Sequence, residues 1–346
     1  MMSLTTTGHT SRLIIKYGGV GVLGLMLFYW VAGVAVAAYK AAHPPYTPPT
    51  VRFGKLPNIV FPQKEKTTKT FKLELPNDDF PKMSDQAKVY VVYRPGSDLL
   101  AYDYYVNMAK EMGFTEEPIK INDGMYEFRN NTLNQTLTIN ILDGSFTMKY
   151  PYINDQLLLA TEKVPGKDAA IAAAKAYLEQ AERWKPDLDD GVKNVSFWRI
   201  EADGLKQVNS ASEANVAKVD FNREEIPGEF KIMEADVNSA SISVLVSGSS
   251  VEGKKILEVA YKYADIDRES FSTYPIKTPS EAWDEFSSGN YWPALDSGDS
   301  QTIIRKMYLA YFEPVTLTNY LQPIYVFEGD GNFIGYLPAI ADGYSQ

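Results

Sequence analysis

The chain has 346 residues, a formal net charge of -10 and no cysteine. Without cysteine it forms no disulfide and no cysteine metal site, and it has no thiol nucleophile. Because an acidic chain presents no basic field to phosphates, we expect no nucleic-acid partner.

The first predicted element is an apolar run from Tyr17 to Tyr39, which contains no charged residue. A helix rises about 1.5 Å per residue and the hydrocarbon core of a bilayer is about 30 Å thick, so this run is long enough to cross a membrane. Tyr17 and Tyr39 occur where interfacial aromatic residues are expected, whereas Trp30 lies deeper in the run. The sequence therefore predicts a transmembrane helix over residues 17–39, preceded by a cytoplasmic tail at residues 1–16.

The charges near this helix predict its orientation. Arg12 and Lys16 precede the run without any acidic residue, which favours an N-terminus inside the cytoplasmic membrane and extracytoplasmic C-terminal domains. The alternative is a cleavable signal peptide, but its apolar core usually spans only about 7–15 residues, so a retained anchor is favoured. Gly18, Gly21 and Gly24 repeat at every third residue, and only Gly33 and Ala37 form a small-xxx-small pair, so we expect weak self-association through the span.

Residues 40–66 are rich in proline, including Pro44-Pro45 and Pro48-Pro49. Proline lacks a backbone donor and restricts the residue before it, so this segment is not expected to be helical. The composition predicts a semi-extended stalk between membrane and folded region, and a disordered connector is the alternative.

Residues 67–162 have the pattern of a small α+β domain. A predicted helix carries an apolar stripe that includes Tyr105 and Met108, and Asp143-Gly144 is a strong hairpin signal between two strands. The predicted elements are strands 70–75 and 87–93, the helix, which Ser97 can cap, and strands 124–129, 135–142 and 145–150.

After Val164-Pro165-Gly166 a unit of one helix followed by several strands occurs twice, over residues 163–264 and 265–346. The first helix, 168–184, is rich in alanine, and Glu179 and Arg183 are expected to pair on its exposed face. The second begins at a capping box, Thr278-Pro279-Ser280-Glu281. The predicted strands are 192–201, 215–222, 230–236, 241–247 and 254–264 in the first unit, and 302–312, 322–328 and 333–340 in the second. We therefore predict an α+β fold with tandem domains of a helix and an antiparallel sheet.

The second unit carries a family resemblance. Its residues 274–283 read YPIKTPSEAW, and the strands that follow contain RKMYLAY at 305–311 and LQPIYVF at 321–327. This order resembles the C-terminal part of the YycH/YycI regulatory proteins and of PepSY-like domains, over the region from about residue 164 onward. The resemblance implies an extracytoplasmic, non-catalytic module that modulates a membrane partner such as a sensor kinase or an envelope enzyme.

Few side chains are candidates for chemistry. Both histidines, His9 and His43, flank the predicted span, so we expect no catalytic residue, no histidine metal site and no cofactor in the folded region. The segment 247–250 with Lys254 favours a polar turn over a Ser–Lys pair. One weak calcium site remains a candidate, at Asp265, Asp267 and Glu269. These are alternate residues, and alternate residues of an extended chain face one side, so the three carboxylates could bind one ion.

Tyr291 and Trp292 are the candidate partner-binding residues. Large aromatic side chains beside Gly289 and Pro293 either pack on the helix end or face a partner. The leading interpretation is a membrane-anchored extracytoplasmic binding or regulatory protein without catalysis, which acts on an envelope protein. The alternatives are a structural accessory subunit of a secretion or pilus-type assembly, and a carboxylate-dependent cell-wall enzyme.

Overall fold

The computed structural model describes residues 4–42, 46–64, 68–76, 79–93, 100–159, 163–226, 228–235, 240–296, 298–314 and 318–346. The chain divides into two compact units, Met1–Pro48 and Pro49–Gln346. The first unit contains helix α1, Leu4–Ala42. The second contains two β-sheets with helices packed on them.

Helix α1 contains an apolar stretch, Lys16–Lys40, whose most apolar part is not buried. By length and composition it is the one stretch in the described residues that is able to cross a membrane. Tyr17, Trp30 and Tyr39 are all exposed on it. The predicted apolar helix is therefore confirmed, and it fits a membrane anchor or a signal sequence.

The second unit is a mixed α+β structure, as predicted. Its helices are α2 (Ala101–Glu111), α3 (Gln156–Leu159), α4 (Lys167–Gln180), α5 (Asp187–Asp190) and α6 (Pro279–Ser287). Its strands are β1 (Thr70–Leu73), β2 (Gln86–Tyr93), β3 (Ile119–Lys120), β4 (Met125–Asn130), β5 (Gln135–Asn140), β6 (Phe146–Lys149), β7 (Lys193–Glu201), β8 (Gly204–Val208), β9 (Val216–Phe221), β10 (Lys231–Glu234), β11 (Ile242–Ser247), β12 (Ile256–Tyr261), β13 (Asp265–Pro275), β14 (Trp292–Leu295), β15 (Gln301–Glu313), β16 (Tyr320–Gly329) and β17 (Phe333–Pro338).

The strands form two sheets. In the described part of the chain, one sheet has nine strands in the order β3-β4-β5-β6-β12-β11-β9-β7-β8. The other has eight, with the path β1-β15-β16-β17-β14, β10 beside β15, and β2 beside both β13 and β16. Helices α2 and α4 pack with the nine-stranded sheet in the largest core, and α6 packs with the eight-stranded sheet in another. The chain passes from the nine-stranded to the eight-stranded sheet between β9 and β10, and again between β12 and β13.

The sheets divide the chain differently from the predicted ranges 67–162, 163–264 and 265–346. Strand β6 of the first range pairs with β12 of the second, so both ranges contribute to the nine-stranded sheet. Strands β1 and β2 of the first range pair instead with β15, β13 and β16 of the third. Local patterns locate strands, but the partner of a strand is decided by distant backbone hydrogen bonds and shared apolar faces. The tandem arrangement is corrected to two sheets that each recruit distant segments.

Many predicted local features are present. Thr278 Oγ1 accepts a hydrogen bond from Glu281 N at 3.3 Å, and Glu281 Oε2 accepts one from Thr278 N at 2.8 Å, which completes the capping box of α6. In α2, Tyr105 and Met108 are buried, as the apolar stripe predicts. The predicted cap Ser97 lies outside the described residues, and α2 begins after Leu100. Local sequence signals therefore indicate where these helices lie and which face is buried.

The proline-rich segment is not a free stalk over residues 50–64. Leu56 is fully buried, and its backbone N–H donates to Tyr344 O at 2.8 Å. Further along, the indole of Trp292 donates to Pro62 O at 2.8 Å. Apart from a turn in which Gly54 N donates to Val51 O, these backbone groups pair with distant elements. The predicted stalk is therefore corrected to an arm, residues 50–64, that packs against the rest of the second unit.

Candidate ligand-binding cleft

A cleft with a cavity volume of about 400 Å³ opens where the chain passes from β12 of the nine-stranded sheet to β13 of the eight-stranded sheet. Its walls come from the end of β2, from α2, from the hairpin between β5 and β6, from the segment after α4 and from the junction of β12 and β13. Cavities of about 300–1,000 Å³ are typical of small-molecule sites. The cleft therefore has the size of a binding site and touches strands of both sheets.

Tyrosine side chains line much of the cleft. Tyr104 and Tyr105 come from α2, with ring centroids 5.1 Å apart, while Tyr261 and Tyr263 come from the β12–β13 junction. Burial raises the pKa of Tyr105, Tyr261 and Tyr263, so these phenols stay neutral at physiological pH. The Tyr261 hydroxyl donates to Arg183 O at 3.1 Å. The tyrosines therefore form an aromatic part of the wall that carries no charge of its own.

Arg183 is the distinctive charged residue of this wall. Its side chain is half-buried, and its guanidinium carbon lies 5.4 Å from the ring centroids of both Tyr104 and Tyr105. Nε and Nη2 contact the Met108 thioether at 3.1 and 2.9 Å. Within the described residues, no carboxylate forms an ion pair with Arg183. A thioether is a weak acceptor, so the guanidinium retains hydrogen-bonding capacity.

The sequence placed Arg183 on the exposed face of a helix, paired with Glu179, and the structure corrects this. Helix α4 ends at Gln180, and Glu182 has a positive φ of 55° that reverses the chain direction. Glu179 Oε1 lies instead 3.8 Å from Lys175 Nζ. A non-glycine residue in the left-handed region carries no reliable sequence signal, so local reasoning missed the most informative residue of the cleft.

The other charged groups in the cleft are already engaged. Lys185 Nζ lies 2.8 Å from Asp265 Oδ2. Asp143 Oδ1 accepts hydrogen bonds from Ser145 N at 2.9 Å and Ser145 Oγ at 2.6 Å, as expected of the hairpin residue that the sequence identified. These partners hold the carboxylates in place. Arg183 is thus the cleft cation whose charge is least compensated.

The calcium candidate is not assembled. Asp265 pairs with Lys185, and Asp267 Oδ1 accepts from the backbone N–H groups of Glu269 and Ser270 at 3.0 and 3.1 Å. This turn shifts the strand register after Asp267, so the alternation expected of an extended chain is lost. The described part of the chain contains no group of three side chains able to hold a metal ion.

Tyr291 and Trp292 are core residues rather than a partner-binding surface. They are only 6% and 8% exposed. The Tyr291 ring lies 4.7 Å from that of Phe286, and the Trp292 ring stacks 5.2 Å from that of Phe61 in the arm. The loop predicted here is strand β14, which pairs with β17. The arm covers Trp292, and Phe286 of α6 and Phe71 of β1 cover Tyr291, which the sequence by itself did not reveal.

The segment 247–250 ends β11 and begins the polar connection to β12, which agrees with the predicted turn between two strands. Ser247 Oγ donates to Lys254 O, while Lys254 Nζ lies 2.6 Å from Asp155 Oδ2. The hydrogen bond with Asp155 raises the pKa of Lys254, whereas a general base needs a lowered one. The geometry therefore does not support a Ser–Lys pair. Of the two histidines, His9 belongs to α1 and His43 lies outside the described residues.

Asp155 links the short helix α3 to the turn before β12, and it makes stability depend on pH. Burial tends to raise its pKa, but hydrogen bonds from Lys254 and Tyr150 outweigh that effect and lower the pKa to about 2. A carboxyl with a lowered folded-state pKa stabilises the fold above its unfolded-state pKa of about 3.9, and this contribution is lost as the pH falls through the folded-state pKa. We expect Asp155→Asn to be destabilising at pH 7.

The destabilisation by Asp155→Asn should shrink between about pH 4 and about pH 2, because both proteins then carry an uncharged side chain. Urea unfolding of the full chain in detergent across this range measures the difference. Asp203→Asn, at an exposed turn, is the matched control and should change stability little. A pH-independent difference between Asp155→Asn and the wild type would contradict the assignment.

No protein-family model matches the chain, and no curated protein matches it. Among solved structures the chain is similar to an uncharacterized protein from Eubacterium rectale ATCC 33656, at 11% sequence identity and a TM-score of 0.38, over 80% of this chain and 85% of that one. At this TM-score the likeness identifies neither a family nor a function. The resemblance to the YycH/YycI proteins therefore stays a prediction.

Proposed function

We propose that the chain is a membrane-anchored, extracytoplasmic binding protein without catalysis of its own, and that it modulates a membrane or envelope partner. The tyrosine-lined cleft beside Arg183 carries this proposal. A concave, largely aromatic wall with a few placed polar groups is the usual form of a ligand site. The apolar helix α1 supports the anchor, and its flanking charges favour the extracytoplasmic location.

The position of the cleft supports a regulatory role. Tyr93 at the end of β2 and Asp265 at the start of β13 belong to the eight-stranded sheet, whereas Tyr261 ends β12 of the nine-stranded sheet. A ligand in the cleft therefore contacts strands of both sheets and favours the arrangement in which both contacts are made. A partner that contacts either sheet then responds to the occupancy of the cleft.

The proposal is tested by placing a photo-crosslinking amino acid at Tyr104 in the full chain, in its native membrane. Lys206 on β8 is the matched control, because it is exposed and lies at the far edge of the nine-stranded sheet. We expect a discrete adduct with one membrane or envelope component from position 104 and none from position 206. The same adducts from both positions, or none from either, would contradict the proposal.

The same experiment separates the alternative functions. Adducts with several components of one large assembly, from both positions, would favour a structural accessory subunit. Turnover of peptidoglycan by the full chain in detergent would favour the carboxylate-dependent enzyme.

A further inference from the structure

We infer that the cleft recognises a carboxylate through Arg183, on a ligand whose body is a ring or another flat apolar group. The inference rests on the proposed binding function and adds the chemical class of the ligand. It follows from the unusual environment of one guanidinium group.

Arg183 is a half-buried cation without a carboxylate partner among the described residues. A half-buried guanidinium has lost part of its hydration, and such groups are normally compensated by a carboxylate. Among the described residues Arg183 has no such partner, and the acceptor of Nε and Nη2 is the thioether of Met108. A carboxylate that enters the cleft is able to replace the missing water with charge-assisted hydrogen bonds.

Contacts with aromatic rings hold the side chain of Arg183 in one orientation. Its guanidinium carbon lies 5.4 Å from the ring centroids of Tyr104 and Tyr105, and Tyr105 is only 2% exposed. Cation–π contacts with two rings, together with the contacts of Nε and Nη2 with the Met108 thioether, restrict the side chain. The Tyr261 hydroxyl fixes the backbone of the same residue at Arg183 O. Arg183 is thus oriented before a ligand arrives, which lowers the entropic cost of binding.

The charged groups of the cleft favour a ligand with a single negative charge. Lys185 is paired with Asp265, and Asp143 lines the same cleft as Arg183. One uncompensated cation beside one carboxylate favours a singly charged acid over a dianion such as phosphate, which Asp143 would repel more strongly. The planar guanidinium also matches the two oxygens of a carboxylate. A cavity volume of about 400 Å³ fits a group of small-molecule size.

Two sources present this chemistry, a peptide carboxyl terminus and an acidic sugar. Isothermal titration of the full chain in detergent compares four probes: N-acetyl-phenylalanine, its neutral amide, methyl glucuronoside with a free carboxylate, and inorganic phosphate. We expect at least one carboxylate probe to bind about tenfold or more tightly than the amide and than phosphate. Tighter binding of N-acetyl-phenylalanine assigns the peptide terminus, and tighter binding of the glucuronoside assigns the sugar.

The variants test whether Arg183 supplies the recognition. Arg183→Gln should weaken carboxylate binding about tenfold or more and leave the weak binding of the amide unchanged, while Arg183→Lys should be intermediate because it keeps the charge without the fork. Arg199→Gln is the matched control, since Arg199 is an exposed arginine on β7 that does not line the cleft, and it should bind like the wild type. Tyr104→Leu provides a second variant, because Tyr104 is 49% exposed and its loss should weaken ring binding without unfolding the chain.

The outcomes separate this inference from the proposed function. Equal binding of acid and amide, phosphate binding as tight as carboxylate binding, or unchanged carboxylate binding by Arg183→Gln would overturn the carboxylate inference and leave the cleft as a binding site. If no probe binds but the crosslink at Tyr104 persists, the inference fails and the proposed function stands. If both fail, the cleft is not a binding site.

Discussion

Replacing Glu313 by alanine is expected to lower the free energy of unfolding by about 3–5 kcal/mol, because it leaves Arg223 buried without its charge partner. The guanidinium of Arg223 lies 2.9 Å from Glu313 Oε1, and the two side chains are only 3% and 11% exposed. Burial alone would lower the pKa of Arg223, but the attraction of Glu313 outweighs it and the pKa is raised. A guanidinium is not deprotonated in proteins, so removing Glu313 leaves a buried charge without its closest carboxylate.

The same ion pair joins the two sheets. Arg223 follows β9 of the nine-stranded sheet, Glu313 ends β15 of the eight-stranded sheet, and Arg223 also donates to Ala264 O between β12 and β13. Loss of the pair should therefore weaken the connection between the sheets. This effect is independent of Arg183, so it can be measured without reference to any ligand.

Urea unfolding of the full chain in detergent measures the effect of Glu313→Ala. Combining it with Arg223→Met should restore part of the lost stability, since removing both charges leaves no unpaired ion in the core. Lys306→Ala, in an exposed pair with Glu328 on β15 and β16, is the control and should cost about 1 kcal/mol or less. A loss below about 1 kcal/mol for Glu313→Ala would show that the buried pair does not stabilise the fold.

Replacing Phe286 by alanine should cost about 3–5 kcal/mol, the usual range for removing a fully buried phenylalanine. Its ring is not exposed, and its centroid lies 4.0 Å from that of Phe327 and 4.8 Å from that of Phe71. A Cβ on Gly335 would approach the ring to 2.7 Å, so the β17 backbone packs directly against it. A nine-residue helix does not persist alone, and α6 therefore depends on this contact with the sheet.

Trp283 on the same helix provides the matched comparison. It is only half-buried, and its ring centroid lies 6.3 Å from that of Phe327. Trp283→Ala should therefore cost less than Phe286→Ala when both are unfolded in urea. Equal losses of unfolding free energy would indicate that the half-buried Trp283 stabilises α6 as much as the buried Phe286 does. Gly335→Ala should also destabilise, by about 1–3 kcal/mol, because the added methyl group overpacks the site of Phe286.

The sequence by itself determined the local structure of this protein. The apolar stretch of α1, the capping box at Thr278 and the Asp143-Gly144 hairpin all follow from interactions between residues a few positions apart. The stripe through Tyr105 and Met108 likewise identified the buried face of α2. Such features are predictable because helical and strand periodicity, caps and turns depend on neighbouring residues alone.

Only the tertiary structure decided which segments meet. The pairing of β6 with β12, the packing of the arm at residues 50–64 and the burial of Trp292 all join residues that are far apart in the chain. The position of Arg183 beside Tyr104 depends on a reversal at Glu182 and on the packing of α2 near the end of α4. Such contacts depend on complementary faces and on backbone groups that need distant partners, neither of which a local pattern encodes.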